Sequence, residues 1–423
     1  MSEPRKLSAP RGTHDVLPDD QPYWSYVLDA ATRVAQRYGY QRIDTPVFED
    51  AGVWLRTTGD STDIVRKEMY VFQDRGGDEL ALRAEGTASV CRAYIEHGMA
   101  NLPQPVKLFY TSPIFRYDRP QAGRYRQHTQ FGVEAIGDDD PLLDVEVIDL
   151  LRAFYDEVGI SDYTLQINTI GDPICRPAYL DALRAYYADK LDQVDEDCRE
   201  RYEVNPMRLL DCKNDRCQPI IAGAPVMTDH LCDACRDHFA QVRRYLAELR
   251  VDFQLSPRLV RGLDYYTRTV FEYQPRVEGA QSTLGGGGRY DGLIELLGGK
   301  HTPGVGFGCG IERTIINIKR QEVPVPDSPK PLLYVAHLGD GAIATALSLA
   351  RAARNAGISA VIATGDRSLK AQMRHANTSG ARYVAIVGER ELNEGTVNLR
   401  DLSNGSQEAV LRDDVLSRLA EVS

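Results

Sequence analysis

Phe115-Arg116-Tyr-Asp118-Arg119-Pro120-Gln121-Ala-Gly123-Arg124-Tyr-Arg126-Gln-His-Thr-Gln130-Phe-Gly-Val-Glu134 packs four arginines and one aspartate into eleven residues, from Arg116 to Arg126. The runs on either side, Phe109 to Arg116 and Arg126 to Ile136, are rich in β-branched and aromatic residues, and Pro120 and Gly123 supply the turn between them. Two strands joined by a basic loop can hold a polyphosphate on the sheet face, because guanidinium groups match phosphate oxygens bidentately. A solvated hairpin tip would use the same residues, so the loop alone leaves both readings open.

Outward from this hairpin, Tyr70 to Ala84 has the same strand-and-turn character, and together these runs predict an antiparallel sheet with long connections. Upstream, Asp20 as a cap, Pro22 in the first turn and Tyr23, Val27, Ala31, Val34 and Tyr38 at helical spacing predict a helix ended by Gly39. A strand from Tyr40 to Val47 is expected next. Residues 173–253 turn helical and cysteine-rich and read as an inserted module. Strand character returns at Phe253 to Val260 and Thr267 to Tyr273, followed by a glycine-dense stretch from Leu284 to Gly310. Residues 321–331 hold four prolines in eleven positions, which denies them a helix and marks a linker. Beyond it, residues 332–423 alternate strand and helix: Leu332 to Ala336, Ala342 to Ala356, Ser359 to Ala363, Ser368 to Ser379, Tyr383 to Val387. That rhythm predicts a small α/β domain with a mainly parallel sheet.

The chain has 423 residues, a formal charge of −11, 43% hydrophobic and 26% charged positions, an ordinary globular composition. No apolar run is long enough to span a membrane. The first ten residues lack a signal-like apolar stretch, and eight cysteines fit a reducing compartment, so a cytoplasmic location is expected. The acidic total argues against a coat-like nucleic-acid binder but permits a local basic surface. Residues 351–390 supply one: Arg351, Arg354, Arg367, Lys370, Arg374, Arg382 and Arg390 against Asp366 and Glu389 leave a local charge of +5.

The usual phosphate loop is missing, since Gly299-Lys300 is followed by His301 and lacks the upstream glycine. A bound nucleotide would therefore be held by arginines. Three further pieces supply candidates: Arg261-Gly-Leu-Asp264-Tyr265-Tyr266, Leu284-Gly-Gly-Gly-Gly288-Arg289-Tyr290-Asp291, and Pro303-Gly-Val-Gly306-Phe-Gly308-Cys-Gly310-Ile-Glu312-Arg313. Four glycines between strand-like segments suggest close approach of the backbone to a ligand. Arg313, in the first turn of a helix, would meet a terminal phosphate beside the partial positive charge of the helix start.

These pieces resemble the class II aminoacyl-tRNA synthetases. The helix and proline-ended strand over residues 23–46, the arginine loop over 115–134 and Gly-x-Gly-x-Gly-Ile-Glu-Arg over 304–313 look like that class's three motifs. Arg261-Gly-Leu-Asp-Tyr-Tyr and Gly-Gly-Gly-Arg-Tyr-Asp look like the signatures of the histidyl-tRNA synthetases, as do Arg11-Gly-Thr-His-Asp-Val-Leu-Pro and Leu82-Arg-Ala-Glu85-Gly-Thr87. The resemblance covers nearly the whole chain. It implies an α+β catalytic core on an antiparallel sheet (residues 1–172 and 254–325), the helical insertion, and a C-terminal α/β anticodon-binding domain (residues 332–423). Two positions depart from the family: Ala84 stands where it usually has proline, and Asp118 where it usually has glutamate.

By resemblance, the reaction is ATP-dependent ligation of L-histidine to histidine tRNA through a histidyl-adenylate, with release of AMP and pyrophosphate. The attacking carboxylate is already ionised at pH 7, so catalysis reduces to positioning and charge stabilisation at the α-phosphate. Arg116 and Arg261 are the candidates for that clamp. Arg124 and Arg313, with Arg116, would hold ATP, with Mg²⁺ bridging the phosphates. Glu134 and a hydroxyl of Tyr265 or Tyr266 would read the two imidazole nitrogens, while Glu85, Thr87 and Gln130 would take the α-amino group. Buried polar partners reject analogues that lack them, so no editing domain is expected. The family also implies a homodimer, and contact of Arg119 and Gln121 with the tRNA acceptor end.

The spacing of Cys212, Cys217, Cys232 and Cys235 is tolerable for a structural zinc site and equally for buried thiols, and no metal ligand is assigned from it. The alternative to an enzyme is a histidine-sensing regulatory paralog of the synthetase without charging activity. Such paralogs generally lose the terminal domain and the arginine signatures, and this chain keeps both.

Overall fold

The computed structural model describes residues 6–59, 62, 64–277 and 283–420. The chain divides into two compact units, Met1–Pro326 and Asp327–Ser423, with the division inside the proline-rich stretch. The first unit runs α1 (Gln21–Arg37), β1 (Gln41–Arg42), β2 (Phe48–Asp50), α2 (Gly52–Thr58), β3 (Val71–Gln73), β4 (Glu79–Leu82), α3 (Thr87–Glu96), β5 (Val106–Phe115) and β6 (Gln127–Ile136). It continues with α4 (Pro141–Glu157), β7 (Tyr163–Thr169), α5 (Arg176–Tyr187), α6 (Glu196–Val204), α7 (Gln218–Gly223), α8 (Asp233–Glu248) and β8 (Gln254–Leu255). It closes with β9 (Thr267–Pro275), β10 (Gly285–Arg289), α9 (Leu293–Leu296), β11 (Gly304–Gly310) and α10 (Ile311–Arg320).

Among the described residues, eight strands form one sheet in the order β1-β5-β6-β11-β10-β9-β7-β8. Only the outermost pairs, β1 with β5 and β7 with β8, are parallel. The expected hairpin forms its longest pairing: β5 and β6 run together over ten residues, from Val106 opposite Ile136 to Phe115 opposite Gln127. Alternation then sorts the side chains. Phe131, Val133 and Ala135 of β6, Phe271 and Tyr273 of β9, and Val305, Phe307 and Cys309 of β11 enter one core with the apolar stripes of α1, α4, α8 and α10. Gln130, Gly132 and Glu134, and the glycines at 304, 306, 308 and 310, occupy the alternate positions and so take the opposite face.

Three local expectations change. Helix α1 forms with Val27, Ala30, Ala31, Val34 and Ala35 buried, but Asp20 makes no capping bond. Its carboxylate instead pairs with Lys319 at 2.8 Å. The strand expected from Tyr40 to Val47 shrinks to Gln41–Arg42, because the carbonyls of Thr45 and Pro46 accept from the buried guanidinium of Arg83 rather than from a neighbouring strand. The strand expected from Phe253 to Val260 shrinks to Gln254–Leu255, where Pro257 follows and the chain turns, Leu259 N–H bonding Ser256 O at 2.8 Å.

In the second unit β12 (Leu333–His337), α11 (Asp340–Asn355), β13 (Ala360–Ile362), α12 (Leu369–Thr378) and β14 (Tyr383–Val387) form the expected alternation. Leu333, Val335 and Ala385 pack on the α11 side, while Tyr334, Ala336 and Val384 pack on the other with Ala376 of α12. After α13 (Glu389–Glu394), the hairpin β15 (Thr396–Asp401) and β16 (Gln407–Leu411) adds two antiparallel strands, and α14 (Val415–Ala420) follows. The sheet is thus half parallel.

One buried charge network ties the central sheet of the first unit to its helices. Arg289, fully buried at the end of β10, bonds Asp144 of α4 through Nε at 3.0 Å and Nη2 at 2.5 Å, and Asp291 at 3.1 Å. His238 of α8 bonds the other oxygen of Asp144 at 3.1 Å. Burial alone would raise the Asp144 carboxyl; the charges and hydrogen bonds of Arg289 and His238 together outweigh it and hold the group below the usual carboxylate range. Arg289→Met strands that carboxylate and should cost about 3 to 5 kcal/mol of unfolding free energy in urea titration. Adding Asp144→Leu should recover most of the loss; a single variant as stable as the parent would refute the network's role.

Candidate active site

The sheet face opposite α1, α4 and α10 carries a cavity of about 990 Å³. The end of β5 and the following loop bring Arg116, Asp118 and Arg124 to it, and β6 brings His128 and Gln130. Glu272 comes from β9, Gly285 and Gly286 from β10, and Gly308 and Gly310 from β11, with Glu312 and Arg313 from the first turn of α10. Glu85 and Thr87 at the start of α3, then Arg261, Tyr265 and Tyr266, complete the wall. Of the ten site residues expected from sequence, nine line this one cavity.

Each arginine is held by one edge. Arg116 Nε donates to Ala84 O at 2.8 Å, Arg313 donates to Gly123 O at 2.8 Å and Thr283 O at 3.0 Å, and Arg261 pairs with Glu272. Burial, then the charges of Arg124 and Arg116, push Arg313 below its ordinary value, so three guanidinium groups feel one another. Asp118, 3.7 Å from Arg124, offsets only part of this. Like charges gathered in a cleft form a seat for a polyanion. Burial and the charges of Arg116 and Arg313 push His128 down to about 3, so it is neutral at pH 7.

Two carboxylates sit among these cations. Glu272 accepts from Arg261, Gln274 and Thr283, so its position is fixed. Glu312 accepts from Thr129 N–H at 2.7 Å through one oxygen, while the other is buried with no partner. Burial pushes its carboxyl up to about 7.

The far end of the cavity is aromatic and acidic. Tyr265 and Tyr266 stack with ring centroids 4.7 Å apart, and Tyr265 OH lies 3.5 Å from Glu85. Glu85 accepts from the N–H groups of Thr87 and Ala88 at 2.7 and 2.8 Å, capping α3. Glu134 is the expected residue that does not line the cavity. It is fully buried behind the wall and accepts from Thr87 at 2.7 Å, Tyr290 at 2.5 Å and Tyr110 at 3.3 Å. Burial pushes its carboxyl up to about 8.

The four consecutive glycines are a strand, and their bareness serves mostly the protein. A Cβ on Gly287 or Gly288 would collide with a carbonyl of the neighbouring strand, Gly306 O or Thr269 O. Gly285 and Gly286 line the cavity, but a Cβ on Gly285 would enter the core against Cys309 and Tyr155; only one on Gly286 would point to the cavity side, 2.5 Å from Phe271 O and 3.0 Å from Arg261 Nη1. Residues missed from sequence are Tyr110, His128, Glu272 and Glu312. Glu312 sits beside Arg313 in a quoted motif and was findable; Glu272 reaches Arg261 only through the folded sheet.

A bare, arginine-lined face on an antiparallel sheet backed by helices, in a chain with a separate α/β unit, defines a class II aminoacyl-tRNA synthetase. Residues 12–314 match the family model described as histidyl-tRNA synthetase, and residues 333–422 match that of an anticodon binding domain. A histidine–tRNA ligase of Dehalococcoides mccartyi is 53% identical over 97% of this chain and 98% of its own length. One from Pelotomaculum thermopropionicum is 48% identical over 97% of each. The crystal structure of apo S. aureus histidyl-tRNA synthetase aligns with a TM-score of 0.83 and 35% identity, covering 98% of this chain and all of that one. The chain belongs to the histidyl-tRNA synthetase family.

Because His128 is neutral when folded and titrates near 6.5 when free, the unfolded chain takes up its proton first as the pH falls. Stability is therefore lost below pH 6.5. Urea midpoints at pH 7 and pH 5 should show a His128 contribution of at most about 2 kcal/mol, absent from His128→Gln. Equal pH dependence in both proteins would contradict the buried neutral imidazole.

Proposed function

We infer that the chain ligates L-histidine to histidine tRNA, consuming ATP. A carboxylate oxygen of histidine attacks the α-phosphorus, the bond to the β-phosphate oxygen breaks, and pyrophosphate leaves. A hydroxyl of the tRNA's terminal ribose then attacks the histidyl carbonyl, the bond from that carbon to the phosphate oxygen breaks, and AMP leaves as the histidyl ester forms. The observation that carries this reading is the convergence of Arg116, Arg261 and Arg313 on one cavity whose other end holds Tyr265, Tyr266 and Glu85.

Arg116 and Arg261 clamp the α-phosphate from two sides, and Arg124 and Arg313 hold the β- and γ-phosphates. The guanidinium groups of Arg116, Arg261 and Arg313 each already bond a protein acceptor, which fixes their planes before ATP arrives. The residues also fit Mg²⁺: the unpartnered buried oxygen of Glu312 and the fixed carboxylate of Glu272 are hard donors beside the phosphate seat. Bound there, the ion would supply neutralising charge to the phosphates.

Glu85, Thr87 and Gln130 take the α-amino group. A hydroxyl of Tyr265 or Tyr266 meets one imidazole nitrogen, and Glu134 accepts from the other in place of its longest contact, the Tyr110 hydroxyl at 3.3 Å. In the second unit, all seven basic residues between 351 and 390 are exposed, a surface suited to tRNA backbone. Arg390 also bonds Glu394 at 3.0 Å, which offsets part of its charge. We assign Arg119 and Gln121, in the loop after β5, to contact with the acceptor end. Among the described residues no helix is long and apolar enough to cross a membrane, and we assign the cytoplasm as the working compartment.

A homodimer completes the proposal. β2 and β3 join β4 in a separate three-stranded sheet, on which Val47, Phe48, Val71 and Phe72 are exposed, with the Phe48 and Phe72 rings 6.4 Å apart. Such a patch suits a twofold partner.

Arg261→Ala should lower histidine-dependent exchange of pyrophosphate into ATP by about 100-fold to 1,000-fold, with unchanged circular dichroism. Near-parental exchange would remove Arg261 from the clamp. Phe48→Glu with Phe72→Glu should shift sedimentation from dimer to monomer; an unchanged dimer would place the interface elsewhere.

A further inference from the structure

The cysteines of the helical insertion do not form the single tetrad their spacing suggested. They separate into two clusters, Asp172 with Cys175, Cys232 and Cys235, and Asp195 with Cys198, Cys212 and Cys217. Within each cluster the four ligand atoms all lie within 4.8 Å of one another. The composition is the same in both, one carboxylate and three thiols, and both begin with Asp-x-x-Cys. We propose that the insertion carries two structural zinc ions, each held by one aspartate and three cysteines.

The distances fit a tetrahedron. Zinc bonds of about 2.3 Å to sulfur and about 2.0 Å to oxygen put ligand atoms roughly 3.5 to 3.8 Å apart. The Sγ atoms of Cys198 and Cys217 are 3.8 Å apart, and Cys212 Sγ is 3.3 Å from Asp195 Oδ2. In the other cluster Cys175 Sγ is 3.4 Å from Asp172 Oδ1, and Cys232 Sγ is 4.0 Å from Oδ2. None of the eight cysteines is in a disulfide.

The surroundings are organised for charged ligands. Each aspartate is fixed by backbone N–H groups: Asp195 Oδ1 accepts from Cys198 at 2.7 Å and leaves Oδ2 toward Cys212, while Asp172 Oδ1 accepts from Ile174 and Cys175 and both its oxygens lie beside sulfur. Backbone N–H groups also point at sulfur, Asp172 at Cys175 (3.5 Å) and Asn214 at Cys212 (3.4 Å). Such donors orient and stabilise metal thiolates. Three soft sulfurs with one carboxylate select zinc over magnesium or calcium, and four protein ligands leave no position open for chemistry.

The module needs such anchors. The single buried residue of α6 is Cys198, so apolar burial does little to hold that helix. One ion would tie the loop after β7 to the start of α8, and the other would tie the start of α6 to the turn before α7. Asp195 and Cys212 also line the cavity, so the second ion stiffens part of its wall.

The test is elemental analysis of the full chain purified in reducing, chelator-free buffer. Two zinc ions per chain are expected, falling to one in Cys175→Ser/Cys235→Ser and to one in Cys198→Ser/Cys217→Ser. A variant that leaves the zinc content unchanged overturns the assignment of its cluster. Should either variant fail to fold, the parental chain decides the matter. Stripped, reduced and titrated with Co²⁺, it should develop the intense thiolate charge-transfer and d–d bands of tetrahedral sites, saturating at two ions. Failure of the reduced chain to take up Zn²⁺ or Co²⁺, or a disulfide joining Cys198 to Cys217 in the isolated protein, would overturn the proposal.

Discussion

The first unit depends on a sheet with two unlike faces. Strands β6, β9 and β11 alternate so that all their Phe and Tyr residues fall under α1, α4, α8 and α10, while glycines and polar residues, with Ile136 and Val270, fall on the other side. The glycines are what keep that second face usable. A Cβ on Gly306 would occupy the space of the Glu134 carboxylate, one on Gly308 that of the Gln130 amide, and one on Gly304 that of the Tyr290 ring. Hydrophobic burial on one side thus secures strand register, and register places the strands' own polar groups, Gln130 and Glu272, on the cavity side.

Charge is distributed by the same logic. Arg289 and Arg83 are buried away from the cavity and are bonded within the protein, Arg289 by Asp144, Asp291 and backbone carbonyls, and Arg83 through both Nη atoms by backbone carbonyls while its Nε has no partner. Arg116, Arg124 and Arg313 face one another with counter-charge from Asp118 and Glu272 that offsets only part of their repulsion, an arrangement that costs folding energy and that a polyphosphate would relieve. Partnership therefore separates the structural arginines from the ligand-binding ones, although all are equally charged in the sequence.

The central hairpin, α1, α10 and the strand-helix alternation after the linker were legible because each has a strong local period. The shortened strands at Gln41–Arg42 and Gln254–Leu255 were not, because their ends are decided by a distant arginine and by a turn. The hairpin of β15 and β16 lies in a segment whose mixed polar composition carries little periodicity. Ten site residues were named from motif resemblance, and nine of them line the cavity. Glu272 could not, since its contact with Arg261 depends on the pairing of strands.

The sequence by itself determined the family, the order of the two units and the residue types of the site, since these follow from motifs and from side-chain periodicity along the chain. Tertiary structure decided what stands beside what. It put Glu134 behind the wall and not in it, and it sorted cysteines neighbouring in sequence into two clusters. The reason is that hydrogen bonds and ligand sets are closed by distance in space, and only the packed sheet and helices fix those distances.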